Sequence, residues 1–353
     1  MTPVTIMTEL SATPEAAVTR VGSFPRLRYM GSKYKLVPHL AETFKQVGGR
    51  TVLDAFSGSG VVSYLLKGMG YEVTSNDFLY FPGVISRAVV ANHEEKLSPD
   101  DVSVILGPNR DGRSFIQTKF SGLYFTEEDR KFLDSAWSHI AQMSGAKRDL
   151  ATAALVLSAA RKQPRGVFTF TDLRYDDGRR DLHLPLRDHF VERVEEYNNA
   201  VFDSGVSCST LTQDVFDIDG QYDVVYLDPP YAPPRDDNCY IKRYHFLEGL
   251  SQYWEGLKIM EKTKTKKLEK RYTPFSYKRT IEDALLRTFQ RFADSTIVLS
   301  YSSNAVPDAE TIIRLLRSVK SSVEVISLDH KYSFGTHSAA ERRTASEYIF
   351  IGG

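Results

Sequence analysis

At residues 222–231 an apolar run, YDVVYL, stops on Asp-Pro-Pro-Tyr. Pro229 and Pro230 carry no backbone N–H, so carbonyls here accept hydrogen bonds with no competing donor beside them. Asp228 adds a carboxylate acceptor, and Tyr231 adds a flat ring. The group that suits such a tip is an amine with two hydrogens on a planar ring. Asp228 takes one hydrogen, the carbonyl of Pro229 takes the other, and Tyr231 stacks on the ring. A ring-conjugated amine is a poor nucleophile because its lone pair is delocalised. Drawing both hydrogens out of plane frees that pair to attack an electrophilic methyl, and the acceptors stabilise the positive charge that grows on nitrogen. The same tetrapeptide is also a common way to stop a strand and turn the chain. Its place behind two other stretches favours the chemical reading.

The first of these is TVLDAFSGSG at 51–60, a strand pattern ending near Asp54, with Gly58 and Gly60 opening a helix. Bare backbone there lets a ligand approach the carboxyl end of a sheet. The second is YEVTSND at 71–77, where Asp77 ends a strand and can accept from both hydroxyls of a ribose. A nicotinamide dehydrogenase fits a Gly-x-Gly turn equally well. Here, however, Ser63 stands three residues after Gly60, so the three-glycine dinucleotide spacing is missing. Asp54, two residues before Phe56, repels a pyrophosphate and attracts a sulfonium or ammonium group, which points to S-adenosylmethionine.

Elements must hold these tips side by side. Strand, glycine turn, helical pattern VVSYLLKGMG and a second strand make the start of a βαβ unit, hence a parallel sheet. Further strands are expected at 209–213, 224–228, 296–301, 323–328 and 348–351, with helices at 281–292 and 310–319. The fold class expected is α/β, a doubly wound Rossmann-like sheet at 23–91 and 208–353. Residues 92–207 break the alternation and form an expected inserted domain of helices plus a hairpin at 166–186, marked by Asp177-Gly178. A basic insertion is expected at 232–280; its stretch 258–279 holds nine Lys/Arg against two Glu. Residues 1–22 read as a mobile tail.

The 353 residues suffice for two domains or one with large insertions. Basic and acidic residues balance at 45 each, so a nucleic-acid partner must show itself through local clustering. Cys208 and Cys239 form neither a zinc ligand set nor a disulfide framework, which fits a reducing cytoplasmic setting; no metal is expected. No segment reads as a signal peptide or membrane span.

With these residues in place, the chain resembles the Dam-like and restriction-modification amino-methyltransferases that make N6-methyladenine in DNA. The resemblance covers most of the chain from Arg28. RYMGSKYKLVPHL is similar to the family's N-terminal cofactor motif, which implies cofactor binding by Tyr29, Met30, Gly31 and Lys33, with Gly31, Ser32 and Lys33 approaching the methionine part and Lys33 its carboxylate. DAFSGSG, with Phe56, is similar to the glycine loop, and SNDF, with Phe78, to the ribose motif. LTQDVF is similar to the adenine-reading segment and implies Asp214 and Val215 or Phe216. DPPY is the catalytic motif and the most specific. RYHFLEGLSQYW and VLSYSSN resemble downstream motifs. The family order implies a target-recognition domain in the first insertion.

A base amine lies buried in a duplex stack, so double-stranded DNA as substrate requires extrusion of the adenine and grip on the backbone. Arg161, Lys162, Gln163 and Arg165, followed by Arg174, Arg179 and Arg180 on the hairpin, suit phosphate contact and purine edges. Lys266 and Lys267 add phosphate binding, although a charged helix with a solvated face explains them equally. An RNA adenine methyltransferase, a cytosine-N4 enzyme and a silent DNA-recognition protein remain alternatives. The expected context is the cytoplasm, on the nucleoid when DNA is bound, as a monomer or weak dimer, with a cognate restriction endonuclease as a candidate partner.

Overall fold

The computed structural model describes residues 12–169, 176, 178–232, 239–331 and 344–353. Seven strands form one sheet: β1 (Thr51–Asp54), β2 (Glu72–Asn76), β3 (Ser209–Leu211), β4 (Val224–Leu227), β5 (Thr296–Ser302), β6 (Val323–Lys331) and β7 (Thr344–Gly352). Their order is β3-β2-β1-β4-β5-β7-β6. The first five run parallel. β7 enters antiparallel between β5 and β6. All seven strands match the sequence expectation; the central strands β1, β4 and β5 are buried on both faces and read as apolar runs without alternation.

Adjacent residues of one strand feed two cores. Val52, Val224 and Tyr226 face one helical layer, which includes Leu40, Phe44 and Leu65. Leu53, Val225 and Leu227 face the other, with Phe289, Ile312 and Leu316. The helices Val61–Met69, Ile281–Arg291 and Ala309–Arg317 supply these layers. The strand order reverses between β1 and β4, and such a switch point opens a crevice at the carboxyl ends of the strands. Asp77, Asp54 and Asp228 therefore stand in a row, at the tips of β2, β1 and β4.

Three sequence expectations are corrected here. The tail reading fails for residues 12–22. Pro14–Val21 is a helix capped by Thr13, whose Oγ1 accepts from Ala16 N at 3.3 Å, and Ala17 and Val21 are buried. Ala17 packs beside Gly68, so burial against a neighbouring helix orders a segment that propensity alone leaves open. The hairpin reading also fails on its second arm, where Arg180–His183 and Leu186–Ala200 are helical. Leu182, Leu186 and Phe190 recur every four residues and are all buried, a helical face that outweighs the turn signal. The first arm, with Arg174, lies outside the described residues. Finally, the lysine-rich stretch is no helix: Ile259 and Leu268 form an antiparallel bridge, with Met260 N donating to Lys267 O at 2.7 Å.

The helices Glu127–Ile140, Gly145–Arg161 and Leu186–Ala200 contribute Leu133, Trp137, Leu155 and Phe190 to the same apolar cluster as the sheet. The region between β2 and β3 is thus packed onto the catalytic layer. Among the described residues, no helix is long and apolar enough to cross a membrane.

Candidate active site

The loop after β1 is shaped by glycine. Gly60 caps the helix Val61–Met69 at φ 82°. Gly58 has φ 49°, and a Cβ there would sit 2.8 Å from the Tyr29 ring. A side chain at either position meets strain, and at Gly58 a collision as well. Ser57 N donates to Asn76 O at 2.8 Å and Gly58 N to Asp77 Oδ2 at 2.9 Å, which locks this loop onto the tip of β2.

A crevice of about 970 Å³ opens over these tips. Tyr29, Met30, Gly31, Lys33, Asp54, Phe56, Gly58, Asp77, Phe78, Asp228 and Pro230 line it, so the structure gathers most residues picked from sequence. Tyr29 is held by a stack on Tyr244 at 5.0 Å and 8°, with Tyr240 at 5.4 Å. Met30 N is anchored to the same wall, donating to Tyr244 Oη at 2.8 Å.

Carboxylates dominate the electrostatics. Asp54 is fully buried; its Oδ2 accepts from Ser63 Oγ at 2.6 Å, while Oδ1 has no hydrogen-bond partner among the described residues. Burial pushes Asp54 up to about 7, Ser63 pulls it back, and Asp228 and Asp77 push it further. Asp77 accepts from Leu79 N at 2.8 Å as well as from Gly58 N. Its pKa stands at about 6, burial outweighing those two amides. Asp228 Oδ1 lies 2.7 Å from Lys33 Nζ and accepts from Tyr231 Oη at 3.1 Å. Burial lifts Asp228 to about 6, Lys33 opposes, and Glu347 adds to the rise. A cluster of mutually repelling acids around an unpartnered buried oxygen fits a cationic ligand, since a positive group restores their ionised forms.

Sequence reasoning missed Glu347. It is fully buried on β7, paired in register with Ser302 of β5. Its Oε1 accepts from Tyr231 Oη at 2.8 Å and lies 3.6 Å from Lys33 Nζ. Lys33, Asp228, Tyr231 and Glu347 thus form one network, in which Lys33 and Glu347 are buried and Asp228 and Tyr231 are partly exposed to the crevice. In this structure the Lys33 ammonium lines the crevice, pairs with Asp228 and donates to Gly31 O at 2.7 Å. Arg271, Thr273, Ser276 and Tyr277 also line the crevice, and no local motif marks them.

Other picks fall elsewhere. Asp214 and Val215 do not line the crevice: Asp214 Oδ1 caps the turn Val215–Asp217 by accepting from Phe216 N at 3.1 Å, and Val215 is buried. Gly60 shapes the loop without lining it, and Tyr231 packs on Tyr301 at 4.8 Å. Lys162 and Gln163 are corrected as DNA contacts. Lys162, 3% exposed, pairs with buried Asp129 at 2.7 Å and donates to Leu184 O. Gln163, 4% exposed, donates to Tyr124 O at 2.9 Å. Arg161 lies 3.5 Å from Glu196, Arg180 is exposed and pairs with Glu192, and Arg179 stands at the start of that short helix. Arg165 lies in the turn Pro164–Gly166, and Lys266 Nζ donates to Glu261 O at 2.7 Å.

The sheet order with its reversed seventh strand, and acids at three adjacent tips, define a doubly wound Rossmann-like methyltransferase. A family model described as D12 class N6 adenine-specific DNA methyltransferase matches residues 29–290, and the chain belongs to that family. The Type II methyltransferase M2.HphI of Haemophilus parahaemolyticus is 28% identical over 345 residues, covering 93% of this chain and 97% of that one. Modification methylase LlaI of Lactococcus lactis subsp. lactis is 25% identical over 86% of this chain and 51% of its own length. The Type II methyltransferase M.FokI of Planomicrobium okeanokoites is 22% identical over 92% of this chain and 52% of its own.

Proposed function

We propose that the crevice holds S-adenosylmethionine against the tips of β1 and β2, and an adenine extruded from double-stranded DNA at Asp228–Tyr231, as in a modification methylase. The observation that carries this is the row Asp77–Asp54–Asp228 opening into one crevice, with buried Asp54 Oδ1 having no partner in hydrogen-bond geometry among the described residues. Asp54 suits the ammonium of the methionine part, and Asp77 suits the ribose hydroxyls through the lone pairs its two amide donors leave over. When bound, the cofactor supplies a methyl made electrophilic by its sulfonium.

The rest falls to the chain itself. Lys33 and Tyr231 both meet Asp228 at Oδ1, so Oδ2 is placed to take one N–H of the base amine. The carbonyl of Pro229 takes the other, since neither it nor Pro230 brings a donor to the site. Pushed towards tetrahedral geometry, the amine nitrogen would take the methyl as the carbon–sulfur bond breaks and its electron pair stays on the departing thioether, and Asp228 or water would accept the proton that the methylated amine sheds. Tyr29 and Tyr240 supply flat aromatic walls for a planar guest. Arg161, Arg179, Arg180, Lys266 and Lys267 remain the proposed phosphate grip, and the helices between β2 and β3 the proposed recognition region. The working context proposed is cytoplasmic DNA, as a monomer or weak dimer beside a cognate endonuclease.

The test is transfer of labelled methyl from S-adenosylmethionine to duplex DNA and to RNA, followed by nucleoside analysis. Label is expected in N6-methyldeoxyadenosine, and Asp228→Ala should lower kcat by about a thousandfold or more while S-adenosylhomocysteine still binds. Label confined to RNA, or an active Asp228→Ala, would overturn the reading.

A further inference from the structure

The segment 270–279 touches the loops after β1, β2 and β3 at once. Phe275, 2% exposed, packs edge-on against Phe56 at 5.1 Å and stacks on Phe216 at 5.7 Å and 11°. The Arg271 guanidinium lies 4.0 Å over the Phe78 ring and donates to Phe78 O at 3.1 Å. Three aromatic side chains, from the loops after β1, β2 and β3, are therefore clasped by one short segment. The same guanidinium is anchored further: Arg271 Nη1 sits 3.9 Å from the buried carboxylate of Glu248, which accepts from Tyr80 N and Phe81 N. Pro274 opens a single tight turn, Pro274–Ser276, which stiffens the clasp.

The opposite face has different chemistry. Tyr272 is 62% exposed and stacks on Tyr277 at 5.5 Å and 16°, and Tyr277 itself lines the crevice. Lys278 and Arg279 are exposed, and no acidic residue occurs from 270 to 279. An exposed aromatic ring among cations matches a nucleic-acid strand, whose phosphates seek positive charge and whose bases offer flat faces.

We infer that residues 270–279 are a strap shared by two ligands: the inner face roofs the cofactor crevice and the outer face grips the DNA, so that each ligand tightens the other. This rests on the crevice being the S-adenosylmethionine site. Because Tyr272 and Tyr277 are stacked, a strand that immobilises the outer ring also immobilises the crevice wall behind it. Linkage then requires the effect to be reciprocal.

Titration calorimetry with S-adenosylhomocysteine, alone and with long unmethylated duplex DNA, tests the strap. For the unaltered protein the duplex is expected to tighten binding about tenfold, within the usual span of coupling factors. Arg271→Ala should weaken binding without DNA by about tenfold, for loss of the cation–aromatic clasp and its hydrogen bond. The triple variant Tyr272→Ala/Lys278→Ala/Arg279→Ala, saturated with DNA as checked by mobility shift, should bind S-adenosylhomocysteine no more tightly than it does without DNA. Full tightening in the saturated triple variant, or unchanged affinity in Arg271→Ala, would overturn the strap and leave the functional reading standing. Absence of any S-adenosylhomocysteine binding by the unaltered protein would overturn both.

Discussion

Asp54, Asp77 and Asp228 could be picked from sequence because each ends its own strand, and a strand end is a local signal. Lys33 and Glu347 could not be assigned in the same way. Lys33 finds Asp228 and Glu347 across the fold, 195 and 314 residues away by the numbering, and Glu347 sits in a run, ASEYIFI, that reads as plain strand. Only its register opposite Ser302 carries it to the catalytic tip. Asp228 is faced by Lys33 from the N-terminal motif, Asp54 on β1, Tyr226 and Tyr231 on its own segment, Glu347 on β7 and Tyr240 from the helix after it. Its carboxylate must be ionised to accept from the amine, so activity should rise as pH climbs through about 6. Glu347→Gln removes a like charge, so the acid limb of kcat should move to lower pH, by up to about one unit. We expect kcat at the optimum to fall about tenfold, with KM for DNA little changed, because Tyr231 and Lys33 lose an anchor. A pH–rate profile with its acid limb in place would reduce Glu347 to a packing role.

Among the elements, the strands and the helices behind them were readable because burial on both faces leaves uninterrupted apolar runs and amphipathic helices leave a spacing of three and four. The segment after Arg161 was misjudged for the converse reason. An Asp-Gly pair and scattered arginines suggested a DNA-facing hairpin, but Lys162 and Gln163 turn inward and close the end of the helix Gly145–Arg161. Composition cannot tell a lysine that meets phosphate from one that neutralises a buried acid. Lys162→Ala strands Asp129 without a counter-charge, and should destabilise the protein by about 3–5 kcal/mol in denaturant titration. The slope of DNA affinity against salt should stay as it was, since no phosphate contact is lost. A shallower slope at unchanged stability would restore Lys162 to the DNA surface.

For the whole molecule, neutrality in net charge conceals a crevice of carboxylates on one side and a basic strap across it, a separation that only folding creates. Sheet order was likewise out of reach, since nothing in a strand's own residues says which neighbour it will choose. The acids leave a thermodynamic mark. Asp54 titrates near 7 when folded, against 3.8 for a free carboxyl. A group whose folded pKa is raised binds protons better in the native state, so its stabilising share is whole below the unfolded pKa and drains away as pH rises through the folded one. Asp54→Asn has no such proton to lose. In calorimetric melts without cofactor, its Tm should exceed that of the unaltered protein by a few degrees near pH 8 and by less near pH 5, while cofactor affinity falls. A gap that stays constant with pH would mean the Asp54 carboxyl is not held protonated by its surroundings.

β7 slots between two strands made before it and delivers Glu347 to the tyrosine of the catalytic tip. While a ribosome is still short of residue 344, β5 and β6 have no bridge between them and the acid that steadies Tyr231 does not exist. A chain that stops short of β7 therefore lacks both the strand that joins β5 to β6 and the carboxylate that holds the tyrosine of the catalytic tip.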